Sequence, residues 1–408
     1  MTDSNRHGDL PTRRSTFILG AATLAGTVAS SGPDAFALAR PVAAPSPVGE
    51  GRVPFHGVHQ AGILTPQQRF GGFAAFDVTC GDVAELRALF RKLTERARIL
   101  TAGLKPMTPQ EGGTEPPRDR LTITLGVGAS LFDGRFGLAS TRPRGLTVMP
   151  SFRGDRLEER TCHGDLSVQV CADHPDAVLH VIRDLARETA GSMRARWRVD
   201  GFVNPPRPAG APRTFLGFKD GTAHPDTGSA REMDRLVWLG ARTAGPAWAR
   251  GGTYQVIRSI RLRAEAWDRV PTGRQEKMFG RQKSSGAPLD GKKETDVPDY
   301  AKDPKGLVTP LDSHIRRANP RTPQSADSVL LRRSYNVDRG LTPDGTLDLG
   351  LAFCCYQQDL ARQFETVQKR LEGERLADFT TTTGGGYFLV LPGVKDKKDW
   401  YASALLGS

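Results

Sequence analysis

The segment GGFAAFDV (71–78), followed at once by VAELRALFRKLTERARIL (83–100), decides how the chain is read. The first piece is short, apolar and aromatic, with turn residues before and after it, which predicts a strand. The second places apolar residues at three- and four-residue spacing, which predicts an amphipathic helix. LTITLGVG (121–128) and LSVQVCA (166–172) read as further strands. AVLHVIRDLARETAG (177–191) reads as a second helix, introduced by Pro175 and closed by Gly191. The same grammar then returns. GGTYQVIRSIRLR (251–263) is a β-branched strand, and a charged helical stretch containing QEKMFGR (275–281) follows it. VLLRRSYNV (329–337) and GLAFCCYQ (350–357) read as strands, QFETVQKRLEG (363–373) as a helix and GGYFLVLP (385–392) as the closing strand. Each run has roughly a βαββαβ plan, so the fold class is α+β: antiparallel sheets with helices over one face. Two such halves are expected at 51–215 and 216–408, with a cleft between a sheet and its overlying helices.

The 408 residues are 38% apolar and 25% charged, which fits a folded globular chain with a substantial core. The N-terminus stands apart. Arg13-Arg14 precede the Ala/Gly-rich apolar stretch TFILGAATLAGTVAS (16–30), and AFALA (35–39) ends in small residues. This predicts an export signal over 1–39, cleaved after Ala39, with a flexible Pro/Ala-rich leader at 40–50. The twin arginine is similar to the Tat signal that exports folded proteins, although Phe17 sits one place later than that pattern puts it. The signal carries three arginines and three aspartates, so the net charge of +12 belongs to the remainder. The basic residues are dispersed and no aromatic-studded cluster accompanies them, which argues against nucleic acid as a partner. No run beyond the signal is long and apolar enough to span a membrane.

Two long tracts rich in Gly, Pro and charged residues, 200–230 and 282–320, interrupt the strand and helix pattern. Loops of that length in a compact domain are usually functional. The first holds GFKDGT (217–222), an aspartate between two glycines; Lys219 is expected to face away from any site formed there. The second holds His314 in LVTPLDSHIRRANP, with Asp312 nearby. A histidine on a short structured segment can ligate a metal or a haem iron, and a carboxylate on its other ring nitrogen raises its basicity. A hydrogen-bonded or surface histidine would fit the same residues. In FHGVHQAGI (55–63) the spacing of His56 and His59 hints at a metal pair without a third ligand. Arg332 and Arg333 end an apolar strand, and alternation predicts one inward and one toward solvent. Cys80, Cys162, Cys171, Cys354 and Cys355 have no zinc or cluster spacing. They read as small buried side chains, with a Cys162–Cys171 bridge as an option.

The ordered set FHGVHQAGI, GFKDGT, His314 with IRRANP, LLRRSYN (330–336), GLAFCCYQ and TGGGYFLVLPG (383–393) resembles the dye-decolorizing peroxidase family. It is most similar to the exported branch related to deferrochelatase/peroxidase proteins of bacterial iron uptake. The resemblance covers about residues 50–400. It implies tandem ferredoxin-like halves with haem b between sheet and helices, and oxidation of dyes, phenolics or other one-electron donors by hydrogen peroxide. It also implies Asp220 as the distal carboxylate, Arg332 rather than Arg333 as the distal arginine, and His314 as the iron ligand. Phe353 and Gly221 would shape the haem pocket, and Arg281 would meet a propionate. Trp238, Tyr254, Trp267, Tyr335, Tyr356 and Tyr387 are candidate surface relays for electrons from bulky donors. The adjacent Cys354 and Cys355, being oxidisable, are expected to point away from the pocket or lie buried. The alternative within the same pocket is haem handling: iron release from haem, or haem binding and delivery. An iron-uptake system is the partner that the related branch implies.

Overall fold

The computed structural model describes residues 51–103, 119–241, 243 and 245–407. The export signal at 1–39 and the leader at 40–50 lie outside them. In the first half, β1 (Phe70–Val78) leads into α1 (Val83–Ala102), which begins where the Asp82 carboxylate accepts a hydrogen bond from the Glu85 N–H. Then come β2 (Thr122–Gly128), β3 (Leu166–Ala172), α2 (Pro175–Glu188) and β4 (Met193–Phe202). The sequence pattern had shown three of these four strands. β4, MRARWRVDGF, was hidden because its outward positions are charged and its apolar residues therefore never form a run.

A linker bearing α3 (Ala230–Leu236) precedes the second half. That half comprises β5 (Thr253–Leu262), α4 (Ala264–Asp268), α5 (Thr272–Phe279), α6 (His314–Ala318), β6 (Leu331–Arg332), β7 (Tyr335–Leu341), β8 (Leu347–Gln357), α7 (Thr366–Leu371) and β9 (Thr380–Val390). A π-helical turn, Leu360–Glu365, runs into α7.

Within the first half the strand order is β2-β3-β1-β4, and within the second it is β9-β5-β8-β7, with β6 continuing the β7 edge of β8. Every neighbouring pair is antiparallel. This is the ferredoxin-like order twice over, and the α+β reading with two ferredoxin-like halves holds. The halves meet edge to edge. β2 pairs with β9 through Gly126–Gly128 and Val390–Phe388, and β4 touches β7 at Phe202 and Asn336. The pairings therefore close into a ring of strands. Alternate residues fill its interior, among them Phe73, Trp197, Ile257, Tyr335, Ala352, Cys354, Tyr356 and Phe388. The helices lie outside. α1 and α2 cover the first half with Leu86, Leu89, Phe90, Val181 and Leu185 in a dry layer. In the second half the helices stand off from the sheet, and the gap between them is a cavity.

Candidate active site

The cavity has a volume of about 320 Å³. Strand alternation supplies its floor. On β8, Ala352, Cys354 and Tyr356 turn into the ring while Leu351 and Phe353 face out to the cavity. Arg258, Ile260 and Leu262 of β5 and Thr380 and Thr382 of β9 complete that surface. Phe279, Ile315, Phe364, Val367 and Leu371 come from the helical side.

GFKDGT forms the tip of a tight turn. The Gly217 N–H donates to Thr214 O, the Thr214 N–H to Phe218 O, and the Asp220 N–H to Pro212 O. Gly217 and Gly221 have φ of +85° and +104°, a backbone that only glycine adopts without strain. Phe218 is buried and stacks on Phe279 with ring centroids 4.2 Å apart, which fastens the turn to α5. Lys219 does not face away into solvent. It is buried beside the cavity, with Nζ 2.5 Å from Glu294 Oε2 and 2.7 Å from Ala209 O. Glu294 also accepts from Thr222 Oγ1 at 3.0 Å and from the Ala211 N–H at 2.9 Å. Glu294 thus ties down the residues on both sides of Asp220. An ammonium is tolerated inside because Glu294 neutralises it.

Asp220 Oδ1 accepts from Arg332 Nη2 at 2.9 Å and Nε at 3.3 Å, and both residues line the cavity. Burial pushes the Asp220 carboxyl upward. The Arg332 charge, the Arg332 hydrogen bonds and the Gly221 N–H outweigh that and hold it below its ordinary value. His224 is itself pushed down to about 3, first by burial and then by Arg332, so its ring is neutral at physiological pH. Arg333, one residue on, does not reach solvent as alternation had suggested. The pleat turns it into the ring, where it is buried and donates to Thr65 O and Gln68 Oε1.

His314 opens α6 and lines the same cavity. Its Nδ1 lies 2.8 Å from Glu374 Oε2. Burial lowers its pKa, but the Glu374 charge and hydrogen bond more than reverse this, so the ring is more basic than usual. Its Nε2 makes no hydrogen bond among the described residues. Asp312, the carboxylate nearest in sequence, is engaged elsewhere, with Arg375 Nε at 3.0 Å. Glu374 was not legible as the partner because sixty residues, with three strands and a helix among them, separate it from His314.

Arg281 is buried, lines the cavity and donates to Gly286 O at 2.6 Å and Glu294 O at 3.0 Å. Burial and then the neighbouring Arg321 lower its pKa. Arg321 also lines the cavity, and close by is Tyr300, whose buried hydroxyl has no hydrogen-bond partner and which packs under Arg316. Arg321 and Tyr300 had not stood out in the sequence; neither belongs to a local pattern. An apolar slot with a free imidazole nitrogen and two arginines at its margin matches haem b. The iron would take His314 Nε2, the ring would lie against Phe353 and the leucines, and the acidic side chains would meet Arg281 and Arg321. Phe353 is half-buried with its ring 6.1 Å from that of Phe364, and Gly221 lines the slot beside Asp220.

Other sequence candidates fall outside this site. His59 stacks on Trp238 at 3.7 Å and bonds Gly251 O, so it is a packing residue, and no cluster of metal-ligating side chains occurs among the described residues. All five cysteines are free and buried; Cys162 and Cys171 are not bridged. Cys354 faces the ring interior and Cys355 the outer core. Trp238, Tyr254, Trp267, Tyr335, Tyr356 and Tyr387 are all buried, so none is a surface relay. Their hydrophobic bulk was needed in the cores.

The comparisons agree with this geometry. The family model described as Dyp-type peroxidase, N-terminal, matches residues 60–203, and Dyp-type peroxidase, C-terminal, matches 211–395. The curated protein named Deferrochelatase of Escherichia coli strain K12 is 46% identical over 419 residues, covering 99% of each chain. A DyP-type peroxidase from Cellulomonas bogoriensis shares 34% identity at a TM-score of 0.79, covering 89% of this chain and 100% of that one. Ferric DtpA from Streptomyces lividans gives 34% and 0.80, covering 88% and 98%. With its fold, its haem-shaped cavity and matches along both halves, the chain belongs to the Dyp-type peroxidase family and is a haem peroxidase.

Proposed function

We propose that Asp220, Arg332 and His314 divide the peroxidase chemistry among them. One observation carries this reading. The Asp220–Arg332 pair shares its cavity with a histidine whose Nδ1 is held by Glu374 and whose Nε2 is free. Haem, when bound, supplies an iron held by His314 and a store for two oxidising equivalents. Asp220, ionised at working pH, takes the proton from one oxygen of hydrogen peroxide and returns it to the other. The fixed guanidinium of Arg332 stabilises the negative charge that builds up on the peroxide. Glu374 keeps Nδ1 protonated, fixing the tautomer that presents Nε2. Phe353 and Gly221 shape the peroxide side, and Arg281 anchors an acidic side chain of the haem. Dyes and phenolic compounds are the electron donors.

The name of the curated relatives fits the peroxidase reading and also suggests a second one, iron release from haem in the same slot. The two are separated by supplying the haem-loaded protein with hydrogen peroxide and an anthraquinone dye, and in parallel with an iron chelator. Dye loss that depends on peroxide, with the haem absorbance retained, is expected. Iron appearing in the chelator without peroxide turnover would overturn the first reading.

Residues 1–39 are read here as a signal for export of the folded protein by the twin-arginine route, which puts the enzyme on the outer side of the cytoplasmic membrane, where an iron-uptake system is a partner. Arg13-Arg14 and the small residues of AFALA support this. Changing both arginines to lysine should trap the full chain inside the cell; unaffected export would exclude that route. No helix among the described residues is long and apolar enough to cross a membrane.

A further inference from the structure

Behind Asp220, on the side of Pro212 and Ser334, lies a second, small cavity of about 20 Å³, room for one water. Gln67, Arg213, Asp220, His224, Arg332, Ser334 and Asn336 reach it. Most of these polar groups are already committed. Asn336 bonds the Phe215 N–H and Arg213 O, Gln67 Nε2 donates to Ser334 O, and Arg213 donates to Gly217 O, Lys283 O and Ser284 O. Two buried atoms are left without any partner: His224 Nε2 and Ser334 Oγ. Asp220 meets Arg332 through Oδ1 alone, so Oδ2 stays outside that pair. A buried water makes about three hydrogen bonds, and these three groups supply them.

The reaction gives such a water work. Reduction of hydrogen peroxide to two waters consumes two electrons and two protons. A donor too large for the slot delivers its electron from outside and releases its proton to solvent. Protons must then reach the slot separately. Transfer between the two peroxide oxygens through Asp220 needs no exchange with solvent; the reductive steps do.

We propose that His224, Ser334 and one water in the small cavity form the route by which protons pass from solvent to Asp220. His224 lines the small cavity and not the large one, and the residue as a whole keeps some exposure, which sets it between the small cavity and the surface. A neutral imidazole accepts a proton at one nitrogen and gives one up from the other, returning to the starting tautomer by ring reorientation or reverse exchange. Burial, and after it the charges of Arg332 and Arg333, keep it neutral against the opposing pull of Asp220. The proposal rests on Asp220 handling the peroxide proton, as read above.

A high-resolution crystal structure of the haem-loaded protein is expected to show one ordered water touching His224 Nε2 and Ser334 Oγ; a dry pocket overturns the route. In kinetics, His224→Phe and Ser334→Ala should each lower kcat at saturating donor by about tenfold. The solvent isotope effect on kcat should rise, while kcat/KM for peroxide stays as in the parent. His224→Gln keeps a polar group on the water but cannot shuttle a proton, so it should be as slow as His224→Phe. Parent-like kcat in His224→Gln would reduce His224 to a prop for the water and overturn its role as conduit. A fall in kcat/KM for peroxide alone would show a structural effect on Asp220 and overturn the route. Should Asp220→Asn leave the peroxide reaction fast, it is the Asp220 reading that has failed, which the His224 variants cannot mimic.

Discussion

Replacing Asp220 with asparagine is expected to slow the reaction of the enzyme with hydrogen peroxide about 10³-fold, or about 4 kcal/mol in the barrier. The amide keeps the size of the side chain and can still meet Arg332, but it cannot take a proton. Haem binding should be unchanged, because His314, Arg281 and the apolar walls are untouched. The measurement is the second-order rate of the spectral change after mixing with peroxide; a rate within tenfold of the parent would remove Asp220 from the chemistry. A pH dependence goes with it. The base must be ionised, and the Arg332 charge with its hydrogen bonds holds Asp220 below its ordinary 3.8 against the upward push of burial. As pH falls, kcat/KM for peroxide should therefore hold until below that value. Arg332→Leu leaves burial less opposed, so the acid limb should move to higher pH as well as the rate falling. An unmoved limb would mean that another group sets it.

The second large effect is expected at His314. His314→Ala removes the nitrogen assigned to the iron, and the protein should lose its haem on gel filtration while keeping its fold, since α6 is short and pinned by Arg316 to Asp303 and Thr309 O. Retention of an unchanged haem spectrum would refute the assignment. Glu374→Gln tests the support. It keeps a hydrogen-bonding group beside Nδ1 but removes the charge that makes the ring basic, and haem affinity should fall roughly 10- to 100-fold. A carboxylate that merely tied α6 to the following loop would leave affinity alone.

Much of this was legible in the chain. Periodicity gave both helices of the first half, because α1 and α2 each bury one stripe, and most strands, because their interior faces are apolar. β4 escaped, since a strand at a seam between halves carries charge on its outward positions. The ordered motifs located Asp220, His314 and Arg332, each fixed by local backbone: glycines at a turn, the first residue of a helix, the parity of a strand. What could not be read were partnerships made across the fold. Glu374 finds His314, and Glu294 finds Lys219, from distant parts of the sequence. Lys219 shows the limit clearly, as a lysine in a polar loop gives no local sign that it will be buried. The aromatic relays failed for the opposite reason, because Tyr335 and Tyr356 are wanted inside the ring for their bulk.

The closed ring bears on what each half is for. A four-stranded sheet alone ends in two rows of unpaired backbone groups, an invitation to pair with other chains. Here β2 and β4 cap the rows that β9 and β7 would otherwise leave bare. The first half, which contributes little to the catalytic cavity, thus works as a chaperone fused in place. It satisfies the borders of its twin so that the twin can keep a large hole beneath its helices.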